Sequence, residues 1–480
     1  MNKKAFYITT TLPYVNAPLH IGHALEFVRA DSVARYKMLQ GYDVFFNTGT
    51  DEHGQKIFNK AQEKKLDTQT FVDQSFLGFQ QQVESFGISK EAHFIRTTDP
   101  HHVSAAQEFW KRVDKNGYIY KKNYKAKYCV GCEEVKTEHD LVDGQCPIHP
   151  GIPLENIDEE NYFFKLSALQ KPLLDFYASR PNFVVPEFRY NEMKAFVERG
   201  LEDFSISRLK SKMSWGVPVP GDDEHVMYVW FDALTNYIST LGWPEDEEEF
   251  NKYWATGTPT QYCGKDNTRF QALTWQAMLM AAGVPNSHQI VVNGFITGDK
   301  GIRMSKTLGN VVDPLELSNE YGIDALRFFL LKEVSSFEDS PFTLERFRES
   351  YQAHLANGIG NLTSRIMALS EVHCEEFDEL PQVEHPESIE KAMEAFDIQK
   401  AMDHIWGVIK GVDEKIQLTR PFSVVKEDKD AGVALIRDLV SDLYGIAVSL
   451  APFMPTTSLK IIECIRDNKK PLVPIFARLI

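Results

Sequence analysis

A strand, a turn with prolines, a helix and a second strand follow one another early in the chain, and this order restricts the fold strongly. Residues 5–11 (AFYITTT) are aromatic and β-branched and predict a buried strand. Apolar residues recur at helical spacing from Ile21 to about Gln40, and residues 42–47 predict the next strand. Strands joined by a helix run parallel, so we expect an α/β fold with a parallel sheet.

This pattern changes twice along the chain. Residues 117–160 are polar, punctuated by Gly and Pro, and contain a cysteine cluster, so they predict an insertion that interrupts the sheet. Alternation resumes near 226–234, apolar faces predict helices over 389–418 and 431–451, and the acidic stretch 244–250 predicts a solvated loop. The expected segments are a Rossmann-like domain at 1–115, an inserted domain at 116–225, the second Rossmann-like half at 226–292, a linker region at 293–350 and a helical domain at 351–480.

Composition excludes several classes of protein. The 480 residues are too many for one hydrophobic core, and the net charge of −16 argues against a protein that coats nucleic acid non-specifically. The sequence contains no apolar run of the roughly 18 residues that a membrane span needs. It also lacks the apolar region of a signal peptide near its first residue. We therefore expect a cytoplasmic protein without membrane association.

Three of the six cysteines lie near one another and near a histidine. The pattern is Cys129-x2-Cys132, then thirteen residues, then Cys146-x2-His149. Paired sulfur and nitrogen ligands at this spacing are typical of a closed tetrahedral zinc knuckle. Four protein ligands leave no open position, so the zinc is expected to be structural. The remaining cysteines are isolated, and we expect them to be small buried residues: Cys263, Cys374 and Cys464.

The turn before the first helix contains His20-Ile-Gly-His23. In a doubly wound sheet this turn lies at the ligand-binding edge, where backbone N–H groups and the helix dipole favour phosphate. Histidines three residues apart share one helix face and could donate hydrogen bonds to phosphate oxygens, and Gly22 would let a nucleotide approach the backbone. The alternative is a pair of surface histidines that cap the helix.

A second stretch, residues 298–314 (GDKGIRMSKTLGNVVDP), is rich in glycine and basic residues. Arg303 and Lys306 bracket Met304 and Ser305 in it. A loop that carries cations suits phosphoryl transfer, because charge on the transferring group needs electrostatic stabilisation. The alternative for such a loop, taken by itself, is solvated surface.

Together the two motifs resemble the signatures of class I aminoacyl-tRNA synthetases, a His-Ile-Gly-His turn followed by a Lys-Met-Ser-Lys-Ser loop. The second motif differs at Arg303 and Thr307, which keep the positive charge and the hydroxyl. The resemblance implies that ATP binds with Mg²⁺ at the switch point of the sheet and that an amino-acid carboxylate attacks its α-phosphate. It implies catalytic roles for His20, His23, Arg303 and Lys306, and ATP contacts from His20, Gly22, His23, Met304, Ser305 and Lys306.

Longer stretches are similar to the methionyl-tRNA synthetase family, among them residues 6–24, 41–57, 227–239 and 291–317. This resemblance implies activation of methionine to methionyl-adenylate and its transfer to tRNA(Met), with Asp51 holding the substrate ammonium. It also implies a pocket around the thioether formed by Leu12, Tyr14, Trp230, Ala233, Tyr237, Asn267 and Gln271. Aromatic rings suit a polarisable thioether, and the alternative for Trp230 and Tyr237 is an ordinary place in the core.

The sequence departs from this family at several of these positions. Asn267 and Gln271 stand where the family more often has Ile and His, which would change the polarity of the pocket. His149 replaces the usual fourth cysteine of the zinc knuckle. The resemblance further implies that residues 351–480 form an anticodon-binding bundle, with Asn361 and Arg365 near the anticodon. Phe422 replaces a tryptophan expected to stack on a base, and its alternative is packing within the bundle.

We expect a monomer, since the chain ends soon after the helical region. Isoleucyl, valyl and leucyl synthetases usually carry a large editing insertion, and cysteinyl enzymes hold zinc in the substrate pocket, so both fit less well. Cytidylyltransferases share the His-x-Gly-His turn but are generally much shorter. A zinc-bearing RNA-binding protein would leave Asp51, His20, His23 and Lys306 without a role, and the negative net charge fits it poorly.

Overall fold

The structure, a computed structural model of the chain, describes residues 3–132, 134–136, 140–301, 312–375 and 386–479. Its strands are numbered in chain order: β1 Ala5–Thr9, β2 Asp43–Thr50, β3 His93–Arg96, β4 Ile119–Cys129, β5 Glu134–Lys136, β6 Glu155–Phe164, β7 Val184–Val185, β8 Phe204–Ser205, β9 Ser207–Leu209, β10 His225–Met227, β11 Pro259–Gly264, β12 Gln289–Asn293, β13 Ile296–Thr297 and β14 Ser340–Pro341.

The helices of the described residues are numbered in the same way: α1 Ile21–Leu39, α2 Gln55–Glu63, α3 Thr68–Glu84, α4 Pro100–Lys115, α5 Gln170–Ser179, α6 Glu187–Glu198, α7 Val229–Ala233, α8 Asn236–Ser239, α9 Glu247–Phe250, α10 Trp275–Ala282, α11 Pro314–Tyr321, α12 Ile323–Phe328, α13 Leu344–Ser350, α14 Gly360–His373, α15 Glu387–Glu394, α16 Ile398–Thr419, α17 Pro421–Glu427, α18 Lys429–Leu450 and α19 Pro455–Arg466. Short π-helical segments occur as well, at Asn251–Ala255, Phe270–Thr274, Phe329–Glu333 and Tyr351–Ile359.

The main sheet has the strand order β3-β2-β1-β11-β12-β7, and β1 pairs in parallel with both β2 and β11. The parallel sheet expected from the sequence is therefore confirmed. The order runs outward from β1 in both directions, so a switch point lies between β1 and β11. Ligands of such sheets bind beyond the carboxyl ends of the strands at this point. Here those ends lead into residues 10–14 and 265–267.

Burial and close approach explain why these segments form the centre of the sheet. Tyr7 and Ile8 of β1 are completely buried, as strands covered on both faces require. A Cβ on Gly49 would collide with the carbonyl of Ile95, so glycine is needed where β2 approaches β3. The Tyr7 hydroxyl donates to the carbonyl of Tyr237 at 2.8 Å, which fixes the segment after α7 to β1.

The region predicted as an insertion forms a second sheet with the order β5-β4-β6-β8, in which β4 and β6 pair antiparallel. It also contributes to the main sheet, because β7 pairs in parallel with β12. Strand–helix alternation resumes near 226–234 as predicted, since α7 follows β10, but β10 is not a strand of the main sheet. There β10 pairs antiparallel with β9, and the main sheet resumes only at β11.

Two compact units can be distinguished by their internal contacts. One contains residues 1–18, 42–81 and 90–292, and the other contains 19–41, 82–89 and 293–480. The helix α1 thus belongs to the second unit. There its Asp31 pairs with Arg327 of α12 at 2.8 Å with both side chains fully buried, and Arg29 donates to the carbonyls of residues 334–336. The boundaries of the sequence-derived segments stay predictions.

The predicted helices over 21–40 and 431–451 are confirmed as α1 and α18, but two other expectations change. The helix predicted over 389–418 is divided into α15 and α16, because Phe396 has a left-handed backbone (φ 57°) and Asp397 caps α16. The acidic loop at 244–250 contains a short helix, since Asp246 accepts N–H bonds from Glu248 and Glu249 and caps α9. No helix in the described part of the chain is long and apolar enough to span a membrane.

Candidate active site and metal cluster

The two histidines of the first motif form the cap of α1. His20 is the N-cap residue, and its Nδ1 accepts the N–H of Gly22 at 3.1 Å. The N–H of His20 in turn donates to Nδ1 of His23 at 3.2 Å, and the two rings stack at 3.8 Å. The helix-capping alternative is therefore observed. It does not replace the phosphate hypothesis, because each cap uses only one ring nitrogen.

This cap fixes the proton of each ring. A neutral imidazole has one donor and one acceptor nitrogen, so an Nδ1 that accepts an N–H bond places the proton on Nε2. Burial, together with the neighbouring His20 ring, lowers the pKa of His23 well below its usual value. The His23 ring is therefore a neutral Nε2–H donor, and the contact of His20 Nδ1 with Gly22 leaves the Nε2 of His20 as its donor nitrogen. A Cβ on Gly22 would stand 3.0 Å from the His20 ring, so the cap needs glycine there.

The exits of β1 and β2 bring together the predicted ammonium and thioether residues. Tyr14 and Asp51 form an isolated parallel bridge, and the N–H of Asp51 donates to the carbonyl of Pro13 at 3.0 Å. Asp51 is 2% exposed, and Leu12, which precedes Pro13 in sequence, is also buried. The loop after β1 and the loop after β2 are thus held against each other, next to the switch point between β1 and β11.

Aromatic rings stand next to this loop pair. Trp230, on α7, stacks on Phe270 with ring centroids 3.8 Å apart, and the Tyr14 ring meets Trp230 edge-on at 6.5 Å. Trp230 is half-buried, and its Nε1 has no hydrogen-bond partner among the described residues. Ala233 lies on the same short helix. Tyr237 is 2% exposed and packs on Trp275, so its alternative as a core aromatic remains open.

The two departures from the family differ in their surroundings. Gln271 is 1% exposed, its Nε2 donates to Thr11 Oγ1 at 2.8 Å, and its Oε1 accepts from Gln261 at 3.1 Å. Both ends of its amide are therefore bonded within the protein, beside the loop that follows β1. Asn267 is half-buried and lies four residues before Gln271 in sequence. Its side-chain amide donates to Asp266 Oδ1 at 3.4 Å.

Sequence reasoning missed several charged residues next to this region. The Arg208 guanidinium lies over the rings of Tyr128 and Tyr228, at 4.6 and 5.2 Å. It lines an open pocket together with Glu159 and Lys212, which form an ion pair of 2.7 Å. No motif marks these positions, because cation–π contacts join segments that are distant in sequence. The buried Asp232 was missed as well, because its partners His53 and His102 are distant from it in sequence.

The four ligands predicted for zinc lie in one cluster. The Sγ atoms of Cys129, Cys132 and Cys146 and the Nδ1 of His149 all lie within 4.8 Å of one another. Nδ1 is 3.3 Å from Cys132 Sγ and 3.8 Å from Cys129 Sγ, and the sulfurs of Cys132 and Cys146 are 3.5 Å apart. A Cβ on Gly131 would meet the His149 ring at 2.5 Å, so the turn between the first two cysteines needs glycine.

This geometry suits a tetrahedral metal ion. Bonds of about 2.3 Å to sulfur and 2.0 Å to nitrogen imply ligand separations of roughly 3.5–3.8 Å, close to those observed. Burial together with the Cys146 thiol raises the pKa of Cys132 to about 12. Of the isolated cysteines, Cys263 is buried as expected, whereas Cys374 and Cys464 are only half-buried, which corrects that expectation.

The remaining predicted residues fall in the second unit or outside the described residues. Asn361 and Arg365 lie on α14, and Arg365 forms an ion pair with Asp413 of α16. Phe422 is 41% exposed near the start of α17, with the Arg420 guanidinium 6.0 Å from its ring. Arg303, Met304, Ser305 and Lys306 lie outside the described residues.

Known proteins resemble the chain over nearly its whole length. It is 41% identical over 477 residues to a methionine–tRNA ligase of Caldanaerobacter subterraneus subsp. tengcongensis, which covers 96% of this chain and 74% of the relative. It is 40% identical to that of Synechocystis sp., over 95% of this chain and 89% of the relative. The solved Mycobacterium tuberculosis methionyl-tRNA synthetase in complex with methionyl-adenylate is similar with a TM-score of 0.90 and 34% identity, covering 99% and 100% of the two chains.

Two family models match the chain, one over its first three quarters and one over its C-terminal part. A model described as tRNA synthetases class I (M) matches residues 6–156 and 151–367, and the anticodon binding domain of methionyl tRNA ligase matches residues 379–474. The parallel sheet, its switch point and the helical C-terminal part are those of a class I aminoacyl-tRNA synthetase. Within that class, the chain belongs to the methionine–tRNA ligase family. It is an aminoacyl-tRNA ligase that activates methionine with ATP and transfers it to tRNA.

Proposed function

We propose that Asp51 binds the ammonium of methionine and that Leu12, Tyr14, Trp230, Ala233, Tyr237, Asn267 and Gln271 surround its side chain. The Tyr14–Asp51 bridge carries this proposal, because it places a buried carboxylate beside half-buried aromatic rings at the switch point. A carboxylate in such surroundings attracts a cation strongly, and aromatic rings suit a thioether. The Nε1 of Trp230 supports a polar contact of the ring with bound substrate.

The ATP-binding role falls to the two histidines and the basic loop. Methionine's carboxylate oxygen attacks the α-phosphorus, the bond to the β-phosphate oxygen breaks, and pyrophosphate leaves, so that methionyl-adenylate is formed. We propose that Nε2–H of His20 and His23 donates to phosphate oxygens and that Arg303 and Lys306 neutralise the developing charge. Further ATP contacts are proposed for the backbone or side chains of Gly22, Met304 and Ser305. Mg²⁺ would accompany ATP as part of the substrate.

We infer that the metal cluster holds one structural zinc ion. Three thiolates and an imidazole at tetrahedral separations are a donor set that zinc prefers. Four protein ligands complete the coordination, which leaves no position for substrate. The proposed role of the ion is to hold the turns that follow β4.

For transfer, a ribose hydroxyl at the 3′ end of tRNA(Met) attacks the adenylate carbonyl and releases AMP. We propose that Asn361, Arg365 and Phe422 contact the anticodon, because polar and exposed aromatic side chains suit unstacked bases. A monomer and a cytoplasmic location are also proposed. Free thiols and a thiolate metal site suit a reducing compartment.

The test is pyrophosphate exchange into ATP with each of the twenty amino acids. We expect methionine to support exchange at least about a hundredfold better than any other amino acid. Lys306→Ala should lower the exchange rate by about a hundredfold or more while methionine affinity changes by less than about threefold. Exchange with another amino acid and none with methionine would overturn the assignment of the pocket. Equal losses of rate and methionine affinity would overturn the role of Lys306.

A further inference from the structure

A buried carboxylate outside the proposed substrate contacts lies between two histidines. Asp232, on α7, is completely buried, with Oδ2 3.1 Å from Nδ1 of His53 and Oδ1 3.5 Å from Nε2 of His102. His102, on α4, is also fully buried, and its Nδ1 lies 2.8 Å from the hydroxyl of Ser239. A carboxylate removed from water is costly unless it is paired, and the two histidines stand at ion-pair distance, although His53 Nδ1 and Asp232 Oδ2 are not aligned as a hydrogen bond. The two imidazoles lower the pKa of Asp232 despite its burial.

The His53 end of this chain of contacts reaches the loop after β2. His53 follows Asp51 by two residues, and its backbone N–H donates to Asp51 Oδ1 at 3.3 Å. Its ring packs against Trp215 at 5.6 Å, and the Trp215 indole donates to the carbonyl of Glu52 at 2.6 Å. His53 and Trp215 therefore fix the two residues that directly follow the carboxylate proposed to bind ammonium.

The other end of the chain of contacts reaches the aromatic side of the pocket. Asp232 lies between Trp230 and Ala233 in sequence on the five-residue helix α7. Ser239, the partner of His102, lies on α8, and its backbone carbonyl accepts from His101 at 3.0 Å. The carboxylate thus joins the loop that carries Asp51 to the helix that carries Trp230.

We propose that Asp232 is a positioning residue for methionine recognition: through His53 it fixes the orientation of Asp51 relative to Trp230 and Ala233. It does not itself contact substrate. This inference rests on the proposed role of Asp51. Because ATP is assigned to other residues, loss of the Asp232 charge should weaken methionine binding and leave ATP binding almost unchanged.

The experiment measures KM for methionine and for ATP in pyrophosphate exchange with full-length variants. Asp232→Asn is nearly isosteric and should raise KM for methionine by about tenfold or more, with KM for ATP changed by less than about twofold. His53→Asn should keep KM for methionine within about threefold of wild type, because the asparagine amide stands near the position of Nδ1. His53→Leu should raise KM for methionine by as much as Asp232→Asn does.

A second His–Asp pair in the same unit provides the matched control. His225 Nδ1 lies 3.1 Å from Asp222 Oδ2, and His225 is 2% exposed, but the pair contacts Lys121 and Tyr162 in the insertion. Asp222→Asn should therefore leave both KM values within about twofold of wild type. An equal rise of both KM values in Asp232→Asn, no rise in His53→Leu, or a methionine effect of Asp222→Asn would contradict the proposal.

These outcomes separate the inference from the assignment on which it rests. If wild type shows no methionine-dependent exchange, the proposed function fails. If wild type shows it and Asp51→Asn raises KM for methionine while His53→Leu does not, only the positioning role fails. Should Asp232→Asn not fold, the pair His53→Asn and His53→Leu decides the question alone.

Discussion

The ring of His20 has two nitrogens, and α1 uses one of them as its cap. The same holds for His23, whose Nδ1 accepts the N–H of His20. A cap of this kind fixes the tautomer and the ring plane before any ligand binds. Donors that are already oriented avoid the free-energy cost of rearrangement when charge develops on the phosphates. At this scale the observed helix cap and the proposed phosphate-donor role are compatible within one pair of side chains.

This dual use can be tested by separating the two nitrogens of His20. His20→Asn should keep the cap, because asparagine is a good N-cap residue and its Oδ1 can replace Nδ1. It lacks a donor at the position of Nε2, so exchange should fall by about a hundredfold with little change in Tm. His20→Ala should lose the cap as well, at a cost of about 1 kcal/mol in the free energy of unfolding. Full activity in His20→Asn would contradict the role of Nε2.

Site residues were predicted only where a local motif or a longer family-like stretch existed, and their roles stay predictions. The His20–His23 pair and the four metal ligands were found because their spacing along the chain reflects their spacing in space. Asp232 was not found, because its partners His53 and His102 lie on other elements far away in sequence. The hydrogen bonds of the Gln271 amide to Thr11 and Gln261 were not predicted either, because they depend on how β1 and β11 pair.

At the scale of elements, the accuracy of the predicted helices, strands and turns depended on local turn and cap residues. The knuckle after β4 was predicted because Cys129, Cys132, Cys146 and His149 lie within a short stretch that a metal ion can order. The division between α15 and α16 was not predicted, because a continuous apolar face hides the left-handed backbone of Phe396. β7 was also missed, since a strand of two residues carries no periodicity.

The knuckle makes its own prediction about metal content. Native mass spectrometry should find about one zinc ion per chain, and Cys132→Ser should lose most of it. Because metal-binding free energy contributes to folding, chelation should also lower the Tm of the wild-type protein. Cys464→Ser, at an isolated half-buried cysteine, is the matched control and should keep the zinc. A wild-type protein that carries no zinc would contradict the assignment of the ion.

At the scale of the whole molecule, the parallel sheet followed from the first strand, helix and strand of the sequence. The order of strands did not, because β11 and β12 come from segments that only tertiary packing brings beside β1. The assignment of α1 to the same compact unit as residues 293–480 also depends on buried contacts, above all the Asp31–Arg327 pair. Such contacts leave no periodic trace in the sequence. The functional class was nevertheless predictable, because both signature motifs are local.

The most direct test of the central claim is the charging of tRNA. The full-length protein is incubated with ATP, Mg²⁺, labelled methionine and a methionine-accepting tRNA, and the label esterified to the tRNA 3′ end is measured. The account predicts ATP-dependent charging with methionine and at least about a hundredfold weaker charging with leucine, isoleucine, valine or cysteine. Charging with one of those amino acids, and none with methionine, would contradict it.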